Sequence, residues 1–488
     1  MPAIRLPEPV PRRSWARRSG PWLLVFTVAL ALRLPFVTGL PDTPDAVRLI
    51  RAIEHFDVHE HSPHFPGYPA AVALVRMLPL AAGVAWSALA ATAGALACVL
   101  LAWAMTPRVA AGGALLGGLV CAIWPFAAGE SVRVATDTLV LPFIYGALGL
   151  RERRSAPLLS GLVFGFGLGM RPSAAPWVLG LLVGSRRGAV LVGLAVGIAA
   201  WLLPTLAVCG ASLYWDDGCH FVAGHFTQWG GSAMSPNAHP ATRVANMLEH
   251  WICTPLTIEP FGLGAGAALG AWLLVGLAAR IRRPQTSKSA RTRSVPSALG
   301  WGAVGYGAWI AVAQNPEHSR HVLPIVLVVI AAAASGWHLL MTCETESRRR
   351  HRRIAQTLTA AAIMALTVST VTSGRAYSRS VPPILNALTN LAADARFDPQ
   401  VDRVYAGADA AFIKWLAPDW DTRGAPSLED ARHDMRSTPL LPGRVWITGM
   451  ALGDNPPPGP AAVADERRGW TSHWGDRVSI HLLLERTP

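Results

Sequence analysis

Charged residues are scarce in this 488-residue chain, at 15% of the sequence, while 51% of the residues are hydrophobic. Lysine is nearly absent, since Lys288 and Lys414 are the only two among 43 basic residues and arginine supplies the rest. So few charges, together with 45 glycines and 39 prolines, are untypical of a soluble enzyme. This composition indicates a protein that crosses a membrane several times, with an all-α multi-pass membrane domain as the predicted fold class.

Cysteine is also rare, and none of the six cysteines stands in a CxxC or other zinc-type spacing, which excludes a zinc site built from cysteine pairs. Cys219 and Cys253 both fall in segment 210–259, which is predicted to face outward, where oxidising conditions would permit a disulfide. Sequence does not give the geometry of such a bridge, so it stays open. No repeat of fixed period is visible either.

Long apolar runs are what the chain has in abundance. The first, from Trp22 to Leu40, follows an arginine-rich tail and is long enough to cross a bilayer, which takes about 20 residues. No small-residue cleavage site follows it, which favours a retained helix with its N-terminus in the cytoplasm. The pattern predicts about 11 spans, at 22–40, 84–106, 109–128, 137–150, 157–170, 174–184, 188–209, 260–280, 298–314, 321–342 and 354–374.

The distribution of charge gives the orientation of these spans. The formal net charge is +13, and the basic clusters at 151–154, 280–293 and 348–353 all fall on the predicted cytoplasmic side. The positive charge is therefore a topology signal, and no nucleic-acid partner is predicted. The scheme holds only if segment 64–83 does not cross the membrane, so a short helix in the outer leaflet is predicted there. The linker 280–297 is predicted to be disordered in the cytoplasm.

Three regions follow from this pattern: a cytoplasmic basic tail (1–21), a transmembrane domain (22–374) whose first outward loop is 41–83, and a small α/β domain on the outer face (375–488). In the last region, the alternation of apolar residues predicts strands and one helix, at 401–407, 445–450, 478–485 and 409–417. Segment 454–460, DNPPPGP, is predicted to be a loop. The tryptophans of this region pack in its core or stack on sugars.

Two carboxylates stand where the chain leaves its first apolar run, in PDTPDAVRLIRAIEHFDV. Thr43 is a good N-cap and Pro44 suits the first helical position, so an amphipathic helix is predicted to start at the membrane surface. Asp45 falls in its first turn. On local features alone, Asp45 simply complements the positive end of that helix, a preference of about 0.3 to 1 kcal/mol.

Other ionisable residues stand at helix ends on the same predicted side of the membrane. They are Asp42, His64, Glu130, Asp137, Arg171, Arg320 and His321. Each is costly beside a membrane unless it is paired or hydrated, so such a set marks a polar cavity, and one shared site is the economical hypothesis. The alternatives are solvated helix-end charges for Glu130 and Asp137. For Arg171 and His64 the alternative is a side chain that reaches the membrane interface.

The order of these elements resembles the GT-C-fold membrane glycosyltransferases, particularly the bacterial relatives of the protein-mannosyl and lipid A aminoarabinose transferases. An Asp heads the juxtamembrane helix, and FDV is followed by PHFPGYP (63–69). WPFAAGESVRVATD is similar to the exit of the family's third helix, FGLGMRPS to its Gly-rich helix ending in Arg-Pro, and NPEHSRHVLP to its late loop. The resemblance covers roughly residues 20–345.

The resemblance implies sugar transfer from a polyprenyl-phosphate carrier to an extracytoplasmic acceptor, which is a lipid, a glycan or a protein. The matching position for the family's catalytic base is Asp45, with Asp42 as the nearby alternative. A positioned carboxylate that removes the acceptor's proton contributes roughly 10²- to 10⁴-fold to the rate. Attack opposite the leaving phosphate would invert the anomeric centre.

A cation is expected beside the leaving phosphate, because negative charge develops there. Arg320 is the first candidate and Arg171 the second, since a guanidinium binds phosphate through two hydrogen bonds. His321 stands where the family more often has Tyr, and His64 is placed to bind the acceptor or to orient Asp45.

The roles of two further residues and the need for a cofactor stay open. Glu130 and Asp137 would contact the sugar or a divalent ion. No cofactor is assigned, although a divalent cation held loosely by Asp45 and Glu130 stays open.

Different functions compete with the transferase. The histidines His55, His59, His61 and His64 suggest a zinc site or a metal transporter, although no carboxylate-histidine signature of a hydrolase accompanies them. A polytopic transporter would also use charges at broken helices, but the polar residues cluster outside and not at the midplane. A non-enzymatic envelope assembly protein is the third alternative.

Overall fold

The computed structural model describes residues 15–154, 156–228, 230–236, 238–282, 297–342, 349–407, 410–437, 444–452, 461–466 and 477–484. Most of the predicted cytoplasmic tail (1–21), most of the linker 280–297, Cys343 and the whole predicted loop 454–460 lie outside these residues.

The first two thirds of the chain are helical. The α-helices are α1 (Trp15–Ala31), α2 (Pro44–Glu54), α3 (Pro69–Arg76), α4 (Ala82–Met105), α5 (Ala111–Ala122), α6 (Pro125–Glu130), α7 (Leu141–Arg153), α8 (Pro157–Gly167), α9 (Val178–Leu181), α10 (Arg187–Cys209), α11 (Ala211–Thr227), α12 (Pro240–Met247), α13 (Thr254–Leu256), α14 (Gly262–Arg282), α15 (Ala298–Ala313), α16 (Leu323–Met341) and α17 (Arg349–Arg379). Short 3-10 helices cover Leu34–Phe36, Pro172–Trp177 and Ser319–Val322, and a π-helix covers Leu248–Cys253.

Five helical stretches among the described residues are long and apolar enough to cross a membrane: Ala82–Met105, Arg187–Cys209, Gly264–Arg282, Ser319–Met341 and Arg349–Ala393. Shorter apolar helices cover Gly20–Phe36, Ala111–Ala122, Pro157–Gly167 and Ala298–Ala313. The prediction of a mostly helical, multi-pass membrane protein is therefore confirmed.

The juxtamembrane helix α2 begins as its sequence predicts. The hydroxyl of Thr43 accepts a hydrogen bond from the backbone N–H of Ala46 at 3.1 Å, and Pro44 occupies the first helical position. The helix buries Ala46, Leu49 and Ile50, which lie on its apolar face. After it, segment 64–83 contains only the eight residues of α3, which at about 1.5 Å per residue are too few to span a bilayer.

The structure differs from the sequence-based expectation in the outward segments. The predicted span 109–128 divides into α5 and α6, because Pro125 starts a new helix after Trp124. Segment 210–259, predicted to be a loop, contains α11, α12 and the π-helix. Cys219 and Cys253 are exposed free thiols, so the disulfide that the sequence left open does not form in this structure.

The last region combines α18 (Pro383–Ala393), α19 (Ala410–Leu416), α20 (Leu428–Ser437) and α21 (Gly449–Leu452) with one sheet. Its strands are β1 (Arg403–Ala406), β2 (Asp421–Gly424), β3 (Val445–Thr448), β4 (Ala461–Glu466) and β5 (Arg477–Leu484), in the order β2-β1-β3-β5-β4. β1 pairs in parallel with β2 and β3, whereas β5 runs antiparallel to β3 and β4. The predicted strands and helix correspond to β1, β3, β5 and α19.

Candidate active site

Asp45 lies at the start of α2 in a ring of basic groups. One carboxylate oxygen, Oδ1, is 3.4 Å from Nη1 of Arg48 and 3.5 Å from Nδ1 of His64. The other, Oδ2, is 3.9 Å from Nη2 of Arg320, which comes from the 3-10 helix before α16. The side chain of Asp45 is 39% exposed. The carboxylate is therefore both reachable and surrounded by positive charge.

Arg320 and Arg171 share Asp137 but are held very differently. Arg171 is tightly bound, because Nη1 donates to Oδ2 of Asp137 at 3.0 Å and to Oγ1 of Thr136 at 3.1 Å. Its Nη2 lies 3.3 Å from Nδ1 of His321. Arg320 is held more weakly, because its Nε lies 4.0 Å from Oδ2 of Asp137. This buried nitrogen makes no hydrogen bond within the described residues. Arg320 thus makes longer and weaker contacts than Arg171 does.

A second ion-pair group joins the two remaining acidic candidates. Arg133 lies 3.6 Å from Asp42 and 3.3 Å from Glu130, and all three side chains are buried. Arg133 was not among the predicted site residues, although its position in GESVRVATD between Glu130 and Asp137 was a usable signal. Asp42 and Glu130 share this one guanidinium and are buried, which leaves Asp45 as the more exposed carboxylate.

Aromatic residues of α11 cover His64. The ring of Phe221 stacks on His64 with centroids 5.5 Å apart and an angle of 12°. On the other side, Nε2 of His64 is 2.8 Å from the hydroxyl of Tyr68. Tyr68 therefore contacts the site. His64 is fixed from both sides with Nδ1 directed at Asp45.

The electrostatics of the site follow from these contacts. Burial opposes ionisation of Asp45, but His64, and then Arg320 and Arg48, outweigh it and hold the pKa of this carboxyl below its ordinary value. Burial lowers the pKa of His64 more than Asp45 raises it, so its imidazole is neutral at pH 7. Burial also raises the pKa of Glu130, which Arg133 opposes. Asp45 is accordingly a carboxylate at neutral pH.

The sequence left open a divalent cation held by Asp45 and Glu130, and the described residues do not bring metal ligands together there. Among the described residues, the one group of three possible ligands is His55, Asp57 and Glu60, on the surface of the loop after α2. Glu130 is paired with Arg133, and Asp45 faces His64, Arg48 and Arg320. A divalent cation would have to displace these guanidinium groups, so the carboxylates do not fit a metal site.

No protein-family model matches the sequence, and comparison with curated proteins finds no match. Solved structures do match in fold. ArnT from Cupriavidus metallidurans bound to undecaprenyl phosphate has 11% identity over 96% of this chain and 98% of its own, with a TM-score of 0.55. The oligosaccharyltransferase AglB from Archaeoglobus fulgidus, in complex with an inhibitory peptide and a dolichol-phosphate, has 14% identity over 89% of this chain and 70% of its own, with a TM-score of 0.51. Both have the GT-C fold, and the predicted resemblance in fold is confirmed.

Proposed function

We propose that this protein is an inverting glycosyltransferase that moves a sugar from a polyprenyl-phosphate carrier to an acceptor on the outer side of the cytoplasmic membrane. The observation that carries the proposal is the pairing of an accessible carboxylate, Asp45, with a loosely held guanidinium, Arg320, 3.9 Å away. Support for the donor class comes from the fold, since ArnT and AglB have been solved with undecaprenyl phosphate and dolichol-phosphate.

In the proposed reaction, Asp45 takes the proton of the acceptor hydroxyl, and the hydroxyl oxygen attacks the anomeric carbon. The bond between that carbon and the phosphate oxygen breaks, and the phosphate leaves with the electron pair. Arg320 donates hydrogen bonds to the departing phosphate, because its Nε makes no hydrogen bond within the described residues and lies 4.0 Å from Asp137. Asp42 is the less suitable base, since its side chain is buried beside Arg133, whereas the side chain of Asp45 is 39% exposed.

The remaining site residues have positioning and binding roles in this proposal. His64 orients Asp45, while Asp137 and His321 hold Arg171 at the edge of the site. Glu130 and Asp137 are buried and paired with Arg133 and Arg171, so in this proposal they hold the site together and do not bind the sugar as the sequence suggested.

The proposed topology retains the sequence-based scheme. The N-terminal tail (1–21) lies in the cytoplasm, the membrane domain (22–374) crosses about eleven times, and the α/β domain (375–488) lies outside. The shorter apolar helices must then also cross, tilted or in a thinned bilayer.

The deciding experiment is transfer of radiolabelled sugar from a panel of polyprenyl-phosphate sugars by the protein in nanodiscs, with a cell-envelope extract as acceptor. We expect wild type to transfer and Asp45→Asn to lose at least about 10²-fold while remaining folded. Asp216→Asn, an exposed carboxylate on α11, is the matched control and should transfer normally. Unchanged transfer by Asp45→Asn would return Asp45 to a helix-capping role, and no transfer from any donor would favour a transporter or an assembly protein.

A further inference from the structure

A cleft of about 320 Å³ lies where α2 meets the C-terminal region. Ile50, Arg51 and Glu54 of α2 line one side, and Lys414 and Trp415 of α19 line the other. The helix that carries Asp45 therefore also forms a wall of this second cavity. Asp45 and Arg51 are six positions apart, which corresponds to about 9 Å along a helix.

The charged groups of the cleft are not used by the protein itself. Arg51, Glu54 and Lys414 are exposed. Over the described ranges, none of their side chains has a hydrogen-bond or ion-pair partner, even though Arg51 and Glu54 are one helical turn apart. Two positive charges and one negative charge thus face the same space without neutralising one another. This arrangement favours a ligand that carries an anionic group together with hydrogen-bond donors.

Trp415 supplies the apolar surface of the cleft. Its half-buried ring packs against both the membrane-domain core and the core of the C-terminal region. Val47 of α2 is fully buried among C-terminal residues such as Leu388 and Trp446, so it packs in the contact between α2 and the C-terminal region. An indole ring held between two cores, with charged groups around it, provides the flat apolar face on which a sugar ring stacks.

We infer that this cleft binds the saccharide of the acceptor, and that this saccharide carries an anionic group, a carboxylate or a phosphate. The inference rests on the proposed transferase function. Trp415 would stack on the sugar ring, Arg51 and Lys414 would bind the anion, and Glu54 would accept from hydroxyls. α2 would then carry the acceptor site on one side and the base at its start.

The rarity of lysine makes binding measurable at one atom. In a Lys288→Arg background, Lys414 is the only lysine of the chain. Reductive ¹³C-methylation of the full chain in detergent, before transfer into nanodiscs, labels Lys414 and the N-terminal amine, and the Lys414 signal is the one that is lost in Lys414→Arg. The probes are trigalacturonate for a carboxylate, glucose 6-phosphate for a phosphate, and maltotriose as the neutral control. We expect a saturable shift of the Lys414 signal with one or both anionic probes and none with maltotriose.

Variants test whether the cleft is responsible. Arg51→Gln should weaken binding of the anionic probe about five- to tenfold, and Trp415→Ala by at least as much. Arg432→Gln, an exposed arginine elsewhere in the C-terminal region, should have no effect. No shift with either anionic probe, an equal shift with maltotriose, or unchanged binding in Arg51→Gln would each overturn the inference.

The two proposals fail in different ways. In the transfer assay, Arg51→Gln should raise KM for the acceptor extract about fivefold and leave kcat unchanged. A Lys414 signal that shifts in a protein accepting no donor would overturn the proposed function and leave a saccharide site. Normal transfer with an unchanged KM in Arg51→Gln would overturn the cleft while the transferase stands.

Discussion

At the scale of single residues, the charged groups of the candidate site fall into two sets. Arg171, Asp137, Arg133 and Glu130 form buried pairs at 3.0 to 3.3 Å, which hold helix ends together. Asp45 and Arg320 are instead separated by 3.9 Å, and each retains unused hydrogen-bonding capacity. A group that binds a reactant must have hydrogen-bonding capacity that the protein itself does not use. The more widely separated pair, Asp45 and Arg320, is therefore the one expected to take part in chemistry.

Arg320 and Arg171 should therefore respond differently to the same substitution. Arg320→Gln is expected to lower kcat/KM about 10²-fold or more with little change in thermal stability, because only weak contacts are lost. Arg171→Gln should destabilise the fold by about 3 kcal/mol, since Asp137 is left buried without its partner. Transfer assays and thermal unfolding in detergent measure both. Equal loss of stability in the two variants would contradict the distinction.

The acid limb of the pH profile should report Asp45. Because the pKa of Asp45 lies below its ordinary value, the carboxylate stays ionised as the pH falls, and kcat should decline only at pH values below those at which an ordinary Asp carboxyl titrates. Arg48 is one of the groups that lower this pKa, so Arg48→Gln should move the acid limb to higher pH. Arg51→Gln, on the same helix, is the control for the charge change. An acid limb that stays in place in Arg48→Gln would argue that another group titrates.

The sequence identified most residues of this site but not their partners. Asp45, His64, Arg171 and Arg320 were found because ionisable groups at outward helix ends are costly and rarely accidental. The sequence did not predict that Arg171 pairs with Asp137, or that Arg133 pairs with Asp42. These pairs join distant segments, and only the packing of α2, α6 and the loop after α8 decides which groups meet.

At the scale of elements, close helix contacts depend on glycine. α8 and α10 pack through two glycine pairs spaced four residues apart, Gly161 with Gly165 and Gly193 with Gly197. A side-chain carbon added at any of these positions would meet the backbone of the facing helix. Small residues in this spacing let membrane helices approach closely. α8 leads directly into Arg171, so this contact fixes one edge of the site.

Substitution within that contact should be costly only where the helices touch. Gly193→Ala places its methyl group against the carbonyl oxygen of Leu158 and should destabilise the protein by about 1–3 kcal/mol. Gly188→Ala, at the start of the same helix, meets nothing within 4 Å and should be neutral. Thermal unfolding of the two purified variants side by side provides the measurement. Equal melting temperatures would show that the glycine contact does not contribute to stability.

Periodicity located elements well where a pattern was long, and poorly where it was short or mixed. α2 was predicted with its Thr43 cap, because the capping residue, the proline and the apolar spacing agree. α11 was missed because its sequence mixes Asp216, Asp217 and several histidines with apolar residues, as an interfacial helix does. β2, at four residues, is too short and polar to produce a signal.

At the scale of the whole molecule, one side of the membrane domain collects nearly everything that could carry function. α2, α11, the loop before α16 and the C-terminal sheet all meet there, and Val47 joins the C-terminal core to α2. The opposite ends of the helices carry Arg108, Arg151 and Arg153, whose side chains bind Glu152 or backbone carbonyls. The sequence predicted this asymmetry from charge alone, whereas the contact between α2 and the C-terminal region required the fold.

The proposed orientation can be tested with the protein's own thiols. Cys219 and Cys253 are exposed on the side that carries Asp45, so a membrane-impermeant maleimide should label them in intact cells whose outer barrier has been opened. Label should disappear in Cys209→Ser/Cys219→Ser/Cys253→Ser, which also removes the half-buried Cys209. With Cys343→Ser added to that background, Ser185→Cys, at an exposed position beside Arg151, should react only after the membrane is permeabilised. The physical reason is the positive-inside rule, which places the arginine-rich helix ends in the cytoplasm. The reverse labelling pattern would put Asp45 in the cytoplasm, where transfer onto envelope acceptors outside the membrane could not take place.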